Sequence, residues 1–376
     1  MDVPYIDLKA GYEDLKDEID AAVSRVLAGG CFVLGENVEA FEEEFGRWLG
    51  GVEVATVNSG TDALYLALKA LDIGAGDEVV TVSHTAVNTA LAISKTGARP
   101  VLLDVDEDTY CMNTEGLERV RTDRTRAVMP VHLYGHPADM DPIMAFAGEH
   151  GLAVIEDCAQ AHGAAYKGRA AGTIGTVGCF SFYPTKNLGA CGDGGAVVTA
   201  DSGLAAKIRS LANCGQGQQR YLNIYKGDVS RLDEIQAAIL RVKLKRLDEY
   251  SNRRRRAASV YRRGLSGSGL ILPVEREWGR HVYHLFVIRT ARRDELQSYL
   301  STRGVRTLVH YPVPVHKQPA YADETGGMVL PVTERIVKEI LSLPVFPEID
   351  QAQLGQVIDT ILAFLQEHQD CLQPSS

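Results

Sequence analysis

The sequence predicts an α/β protein: a large, mostly parallel sheet sandwiched by helices, followed by a smaller C-terminal α+β domain. Three observations carry this. Short β-rich runs alternate with amphipathic helical stretches through the first part of the chain. After Ser230 the alternation gives way to one long helical stripe. A flexible link, Gly264-Leu265-Ser266-Gly267-Ser268-Gly269, then leads into a second, smaller set of elements. With 376 residues the chain has room for two domains, read here as 1–263 and 264–376.

In chain order, Leu15, Ile19, Val23, Val26 and Leu27 form one helical stripe, and Val38, Phe41, Phe45, Trp48 and Leu49 a second. The strand candidates are Glu53–Val57, Glu78–Val82, Pro100–Asp104, Ala127–Val131, Leu152–Glu156, Gly178–Phe182 and Ala196–Thr199. Amphipathic segments Asp62–Leu71, Asp141–Gly151 and Gly203–Asn213 lie between several of them. A single helix is expected from Leu232 to Arg263, with apolar Leu232, Ile235, Ile239, Leu240, Leu244 and Leu247. The smaller domain offers strands at His284–Arg289 and Val305–His310, and helices at Asp294–Arg303, Thr333–Leu341 and Gln351–Glu367. A cleft between two such domains is a natural ligand site.

Composition narrows the function. Thirty-nine Lys and Arg against forty-nine Asp and Glu give a formal charge of −10, which disfavours a nucleic-acid partner. The seven cysteines are scattered, with no CxxC pair, which fits reduced thiols in a cytoplasm. The start has no basic region followed by an apolar stretch, and no run approaches the roughly twenty apolar residues of a membrane span. The basic run Arg253–Arg256 reads as a solvated helix face; an anion site for a nucleotide diphosphate is the sharper alternative.

Three segments carry chemistry. Asp157 follows the apolar strand Leu152–Ile155, at the sheet edge where open α/β proteins bind ligands. A carboxylate there can stabilise a protonated pyridine nitrogen, with Gln160 reaching from the next turn; an aspartate there can equally cap a helix. Next, a strand runs into the Pro- and Gly-rich loop after Ser181, which carries Lys186. A partly desolvated lysine at a strand end is the type that forms a Schiff base with a carbonyl cofactor, though a loop lysine alone is usually just solvated. Ser181 can donate to a phosphate. Third, Asn58-Ser59-Gly60-Thr61 precedes an Ala/Leu-rich helix whose first amides, with the Thr61 hydroxyl, make a phosphate cradle or a plain cap. No G-x-G-x-x-G opens a helix after the first strand, and no Walker-type loop occurs. Cys158 and His162 stand four apart, but no further ligands accompany them, so no metal is expected.

Together these segments resemble the DegT–StrS nucleotide-sugar aminotransferases, which are fold-type I pyridoxal-phosphate enzymes. The resemblance rests on SGTDAL at Ser59–Leu64, GDEV at Gly76–Val79, PVHLYG at Pro130–Gly135, EDCAQAHGA at Glu156–Ala164 and SFYPTKNLGACGDGGAV at Ser181–Val197. SRLDEIQAAIL at Ser230–Leu240, HYPVPVHKQPAY at His310–Tyr321 and LSLP at Leu341–Pro344 extend it over nearly the whole chain. It implies that Lys186 holds pyridoxal 5′-phosphate covalently, that Asp157 pairs with the pyridine nitrogen and that Gln160 lies near the phenolic oxygen. Ser181 and the Gly60–Thr61 amides would hold the phosphate, and His310 and Tyr311 are the candidate sugar contacts. Two positions depart from the family pattern: Val229 where an asparagine is common, and Ala86 where an aromatic is common. Stacking on the ring then falls to His84 or is weaker, with His84 a structural histidine.

The resemblance further implies a homodimer with shared active sites. Its two half-reactions would take nitrogen from an amino donor, glutamate, through pyridoxamine 5′-phosphate, to a keto sugar on a nucleotide. The match is closest to enzymes acting at C3 of dTDP-3-keto-6-deoxyhexoses, with C4 amination as the alternative. Same-fold sugar dehydratases carry histidine in place of Lys186, and a non-catalytic sensor would have lost Lys186 or Asp157.

Overall fold

A computed structural model describes residues 2–219 and 221–368; Cys371 lies outside them. Seven strands form the main sheet: β1 (Glu53–Val57), β2 (Glu78–Val82), β3 (Arg99–Leu103), β4 (Thr125–Val128), β5 (Ala153–Asp157), β6 (Val177–Ser181) and β7 (Gly195–Thr199). Their order across the sheet is β1-β7-β6-β5-β4-β2-β3, and β7 alone runs antiparallel to its neighbours. All seven runs anticipated as strands are strands, with ends shifted by up to three residues.

The sheet is covered on both faces, which is why β2, β6 and β7 are buried along their whole length. Alternate residues serve opposite sides. Ala55, Val57 and Val197 pack with the helices Gly60–Ala70 and Ser202–Ala212. Val54, Ala196 and Val198 pack with Phe41 and Phe45 of the helix Glu36–Trp48.

The register brings the functional segments to one edge. Gly195 opens β7 opposite both Val57, the end of β1, and Ser181, the end of β6. Asp157 closes β5 beside Cys179 of β6. A Cβ on Gly195 would stand 2.4 Å from the Ser59 carbonyl oxygen, so a side chain there would push the turn after β1 off the sheet.

The expected single helix from Leu232 to Arg263 is two helices, Glu234–Leu244 and Leu247–Gly264, separated by a turn at Lys245-Arg246. No Pro or Gly marks the break. It arises because the two halves bury different stripes. The first packs Ala238, Ile239 and Val242 against Ile19, Ala22 and Val26 of the helix Lys16–Gly29. The second packs Ala257, Ala258 and Tyr261 into the C-terminal core, which also takes in Val3.

Two further expectations are corrected there. Val305–His310 is not a strand: Val305 bridges to Val3 and Leu308 to Ser342, so the segment changes partner before a ladder can form. The helix expected at Thr333–Leu341 is Pro331–Glu339. The chain then extends into β9 (Ile340–Leu343), antiparallel to β8 (Phe286–Arg289), with every β9 residue buried. Asp104, just after β3, accepts hydrogen bonds from the Val332 and Thr333 amides and the Thr333 hydroxyl, at 2.6–2.9 Å. It thereby caps the helix Pro331–Glu339 from the main sheet. Among the described residues no helix is long and apolar enough to cross a membrane.

Candidate active site

The Lys186 loop is held from several sides. Its backbone closes a turn through the Lys186 amide to the Tyr183 carbonyl at 2.8 Å. Lys243 donates to the Gly189 carbonyl at 2.7 Å, and Asn187 pairs with the ring Nδ1 of His284 at 3.1 Å. A cavity of about 70 Å³ borders Lys186, with Ile6, Asn187, Arg254, Phe346 and Glu348 in its wall. The half-buried Lys186 amine has no hydrogen-bond partner among the described residues. Burial lowers its pKa to about 8, against the opposing pull of Asp157.

Asp157 is 4 % exposed. Its Oδ1 accepts from the Ala159 amide at 3.1 Å and its Oδ2 from the Thr89 hydroxyl at 2.9 Å; Thr89 in turn meets Thr85 Oγ1 at 2.9 Å. Burial raises the Asp157 carboxyl above its ordinary value, although the Ala159 and Thr89 donors and Lys186 pull it down. A cationic N–H brought to this carboxylate would offset that desolvation.

Gln160 is oriented by two partners. Its Oε1 accepts from the Tyr134 amide at 2.7 Å, which leaves Nε2 to donate to the Tyr311 hydroxyl at 2.9 Å. Tyr311 is thus delivered to the site from the C-terminal part of the chain. Burial and the nearby Asp157 push its pKa up to about 12, so it stays protonated with its own hydrogen free to donate. His310 is differently placed: its ring stacks on Tyr5 at 5.6 Å and its Nδ1 pairs with Ser342 Oγ at 3.0 Å.

The turn after β1 packs closely over Ser181. Ser59 caps the helix Gly60–Ala70 by accepting from the Asp62 amide at 3.1 Å, which leaves the Gly60 and Thr61 amides without intrahelical acceptors. A Cβ on Gly60 would lie 2.5 Å from Ser181 Cβ, so only glycine lets this helix start approach the serine. The Thr61 hydroxyl accepts from Asn88 at 2.8 Å.

The remaining cofactor-side candidates are His84 and Ala86. His84 has no exposed surface; its Nε2 meets the Tyr134 hydroxyl at 2.7 Å and its ring lies among Tyr110 and Tyr134. Burial lowers its pKa to about 4. Enclosed in this way, the His84 ring has no face open to solvent, and its Nδ1 has no hydrogen-bond partner among the described residues. Ala86 is the N-cap of the helix Val87–Lys95, without a side-chain bond, and its methyl supplies no ring either.

Cys158 and His162 do not form a ligand pair: His162 packs against Phe180 and Phe182, with neither ring nitrogen hydrogen-bonded. Cys158 lies instead within 4.8 Å of His132 and Glu156, but those two already serve each other. His132 Nδ1 accepts from the Ala138 amide, so its Nε2–H donates to Glu156 at 2.9 Å.

Sequence reasoning missed Thr89, Tyr134, Asn187 and His284. Tyr134 and Asn187 sit inside the motifs already singled out, so proximity to Lys186 and PVHLYG was the available signal. Thr89 and His284 carried none, because only the fold sets them against Asp157 and Asn187.

The arrangement can hold a small aromatic aldehyde with an anionic tail and a basic ring nitrogen. The Gly60 and Thr61 amides and the Ser181 hydroxyl would hold the tail, the Asp157 carboxylate the nitrogen, and the Lys186 amine of lowered pKa the carbonyl. Comparison with known proteins agrees. Residues 13–362 match the DegT/DnrJ/EryC1/StrS aminotransferase family. The chain is 50% identical over 361 residues to dTDP-3-amino-3,4,6-trideoxy-alpha-D-glucose transaminase of Streptomyces venezuelae, covering 96% of this chain and 95% of that one. The crystal structure of S. venezuelae DesV superposes with a TM-score of 0.95 at 50% identity, covering 97% of this chain and 99% of that one. NtdA from Bacillus subtilis, solved with bound cofactor PMP, superposes with a TM-score of 0.91 at 30% identity, covering 97% of this chain and 85% of that one.

Proposed function

The chain belongs to the DegT/DnrJ/EryC1/StrS aminotransferase family, and we propose that it aminates C3 of a dTDP-linked 3-keto-6-deoxyhexose, with glutamate as donor. The observation that carries this is the depressed Lys186 amine beside the buried Asp157 carboxylate, in a chain half identical to a dTDP-3-amino-sugar transaminase. Pyridoxal 5′-phosphate supplies an electron sink and an amino carrier when bound.

The chain's own residues have separate tasks. Lys186 binds the cofactor's carbonyl carbon and, once released, moves a proton through Nζ, a role suited to an amine of pKa about 8. Asp157 keeps a ring nitrogen protonated, and Thr89 fixes the carboxylate that does so. Gly60, Thr61 and Ser181 hold the phosphate. Gln160 positions Tyr311, whose hydroxyl donates toward the cofactor's phenolic side or the sugar. His310 braces Tyr311 through its Tyr5 and Ser342 contacts, so its part in sugar binding runs through the shape of this turn.

The protein also acts as a homodimer with shared sites. The apolar face of the helix Glu234–Leu244 is buried within the chain and offers no surface to a partner. Support comes instead from exposed Phe32, Val33, Leu34, Leu222, Ile224 and Val229. Some of these border a concavity of about 700 Å³ that also takes in Lys207 and Arg231.

A panel of nucleotide-linked 3-keto and 4-keto sugars, offered with glutamate and analysed for the aminated product, tests the assignment. Turnover of a dTDP-3-keto-6-deoxyhexose to its 3-amino product is expected. Turnover confined to 4-keto sugars would replace it.

A further inference from the structure

The run Arg253–Arg256 does not act as one patch. Arg253 pairs with Glu249 at 2.5 Å. Arg254 is buried and donates to the Val345 carbonyl at 2.7 Å. Arg255 points to a different wall, where Glu275 receives it at 2.6 Å. There it joins a stripe along one face of the helix Leu247–Gly264: Arg255, Ser259, Arg262 and Arg263, continued by Ser266 just beyond the helix end.

These side chains, with Glu275 and Tyr283 opposite, line a groove of about 540 Å³. Glu275 is the one carboxylate among its lining residues, and it is already engaged by Arg255, the His281 amide at 3.1 Å and the Tyr283 hydroxyl at 3.1 Å. Arg262 reaches only the Tyr283 hydroxyl, at 3.5 Å, and Arg263 only the Ser259 hydroxyl, at 2.8 Å. Among the described residues neither has a carboxylate within ion-pair distance. The groove therefore holds two uncompensated guanidinium groups in a chain whose formal charge is −10. It shares no lining residue with the cavity at Lys186.

The geometry points to a second binding site, in which Arg262 and Arg263, with Ser259 and Ser266, take a phosphate group carrying two negative charges. Two guanidinium forks match such a dianion in charge and in hydrogen-bonding shape, and the two hydroxyls add neutral donors. A groove of this size also leaves space for the body of a phosphorylated small molecule beside the phosphate.

Calorimetric titration of the cofactor-loaded protein at low ionic strength, with inorganic phosphate, inorganic pyrophosphate and thymidine monophosphate, tests this. The wild type is expected to bind at least one of them with a Kd below about 10 mM. The double variant Arg262→Gln/Arg263→Gln is expected to lose at least about tenfold of that affinity while keeping its transaminase rate. Tighter binding of the nucleotide than of the inorganic anions identifies a phosphorylated metabolite as the occupant; equal binding identifies free phosphate. Identical titrations of wild type and double variant, or no binding by either, would overturn the assignment.

Discussion

At the scale of single residues, Lys186 and Asp157 depend on each other. Each is held in a form that burial disfavours, and each favours the charged form of the other. At pH 7.5 an amine with a pKa of about 8 is about one-quarter neutral, against about 0.1% for an ordinary lysine. In cofactor-free protein the rate of pyridoxal 5′-phosphate capture, followed by visible absorbance, should therefore rise with pH and level off above about pH 8. A profile still climbing steeply at pH 10 would show an ordinary amine. Lys186→Ala should lower transamination by on the order of 10²–10⁴-fold or more, because proton transfer is lost together with the covalent anchor. Borohydride treatment of the loaded protein followed by peptide mapping should find the cofactor on Lys186; finding it on Lys167 or Lys226 would reassign the site. Asp157→Asn should cut activity severely while the fold persists. Thr89→Val removes one of the carboxylate's two donors at nearly constant volume. It should shift the pH titration of the bound cofactor's absorbance, and Thr89→Ser should restore it.

Among the elements, β5 carries the heaviest polar load. Glu156, one residue before Asp157, is wholly buried and accepts from His132 and from the amides of Gly172, Ile174 and Gly175 at 2.7–2.9 Å. Burial alone would raise its carboxyl, but His132 and the amides outweigh that and leave it below the ordinary value. A depressed folded-state value means that the unfolded chain takes up the proton first as pH falls. The stabilisation is complete above the ordinary glutamate range and is lost as pH drops through the folded value. Glu156→Ala should cost about 3–5 kcal/mol at pH 7, since it strands a buried histidine and three amides, and thermal melts should then vary less with pH in the acid range. Asp104→Ala should cost about 1–2 kcal/mol by uncapping the helix Pro331–Glu339. Unchanged melting temperatures in either variant would mean that water replaces the lost acceptor.

For the whole molecule, the site is a meeting of distant segments. Tyr311 reaches Gln160 and His284 reaches Asn187 because the C-terminal part of the chain folds back over the carboxyl edge of the main sheet. The exposed apolar residues at 32–34 and 222–229 lie far from that contact in sequence, and in the proposed homodimer they would meet a second copy. Sedimentation should show a dimer at assay concentrations. Polar replacement of Leu222 and Ile224 together should weaken it and lower activity in parallel; a fully active monomer would count against shared sites.

Much of this was legible in the chain alone. Short β-rich runs alternating with helical stretches located the seven strands, because a sheet covered on both faces requires near-continuous apolar runs of that length. The residue types at Asp157, Lys186, Ser181 and Gly60 marked the chemistry, because few side chains can hold a pyridinium, a carbonyl or a phosphate. What local pattern left open was decided by packing. The turn at Lys245-Arg246 exists because two halves of one stripe face different cores. Val305–His310 fails to be a strand because its neighbours lie on different partners. His84 is enclosed by Tyr110 and Tyr134, and Thr89 is brought to Asp157, through contacts between residues far apart in sequence. Periodicity reports which side of an element is buried; only the tertiary structure decides what it is buried against.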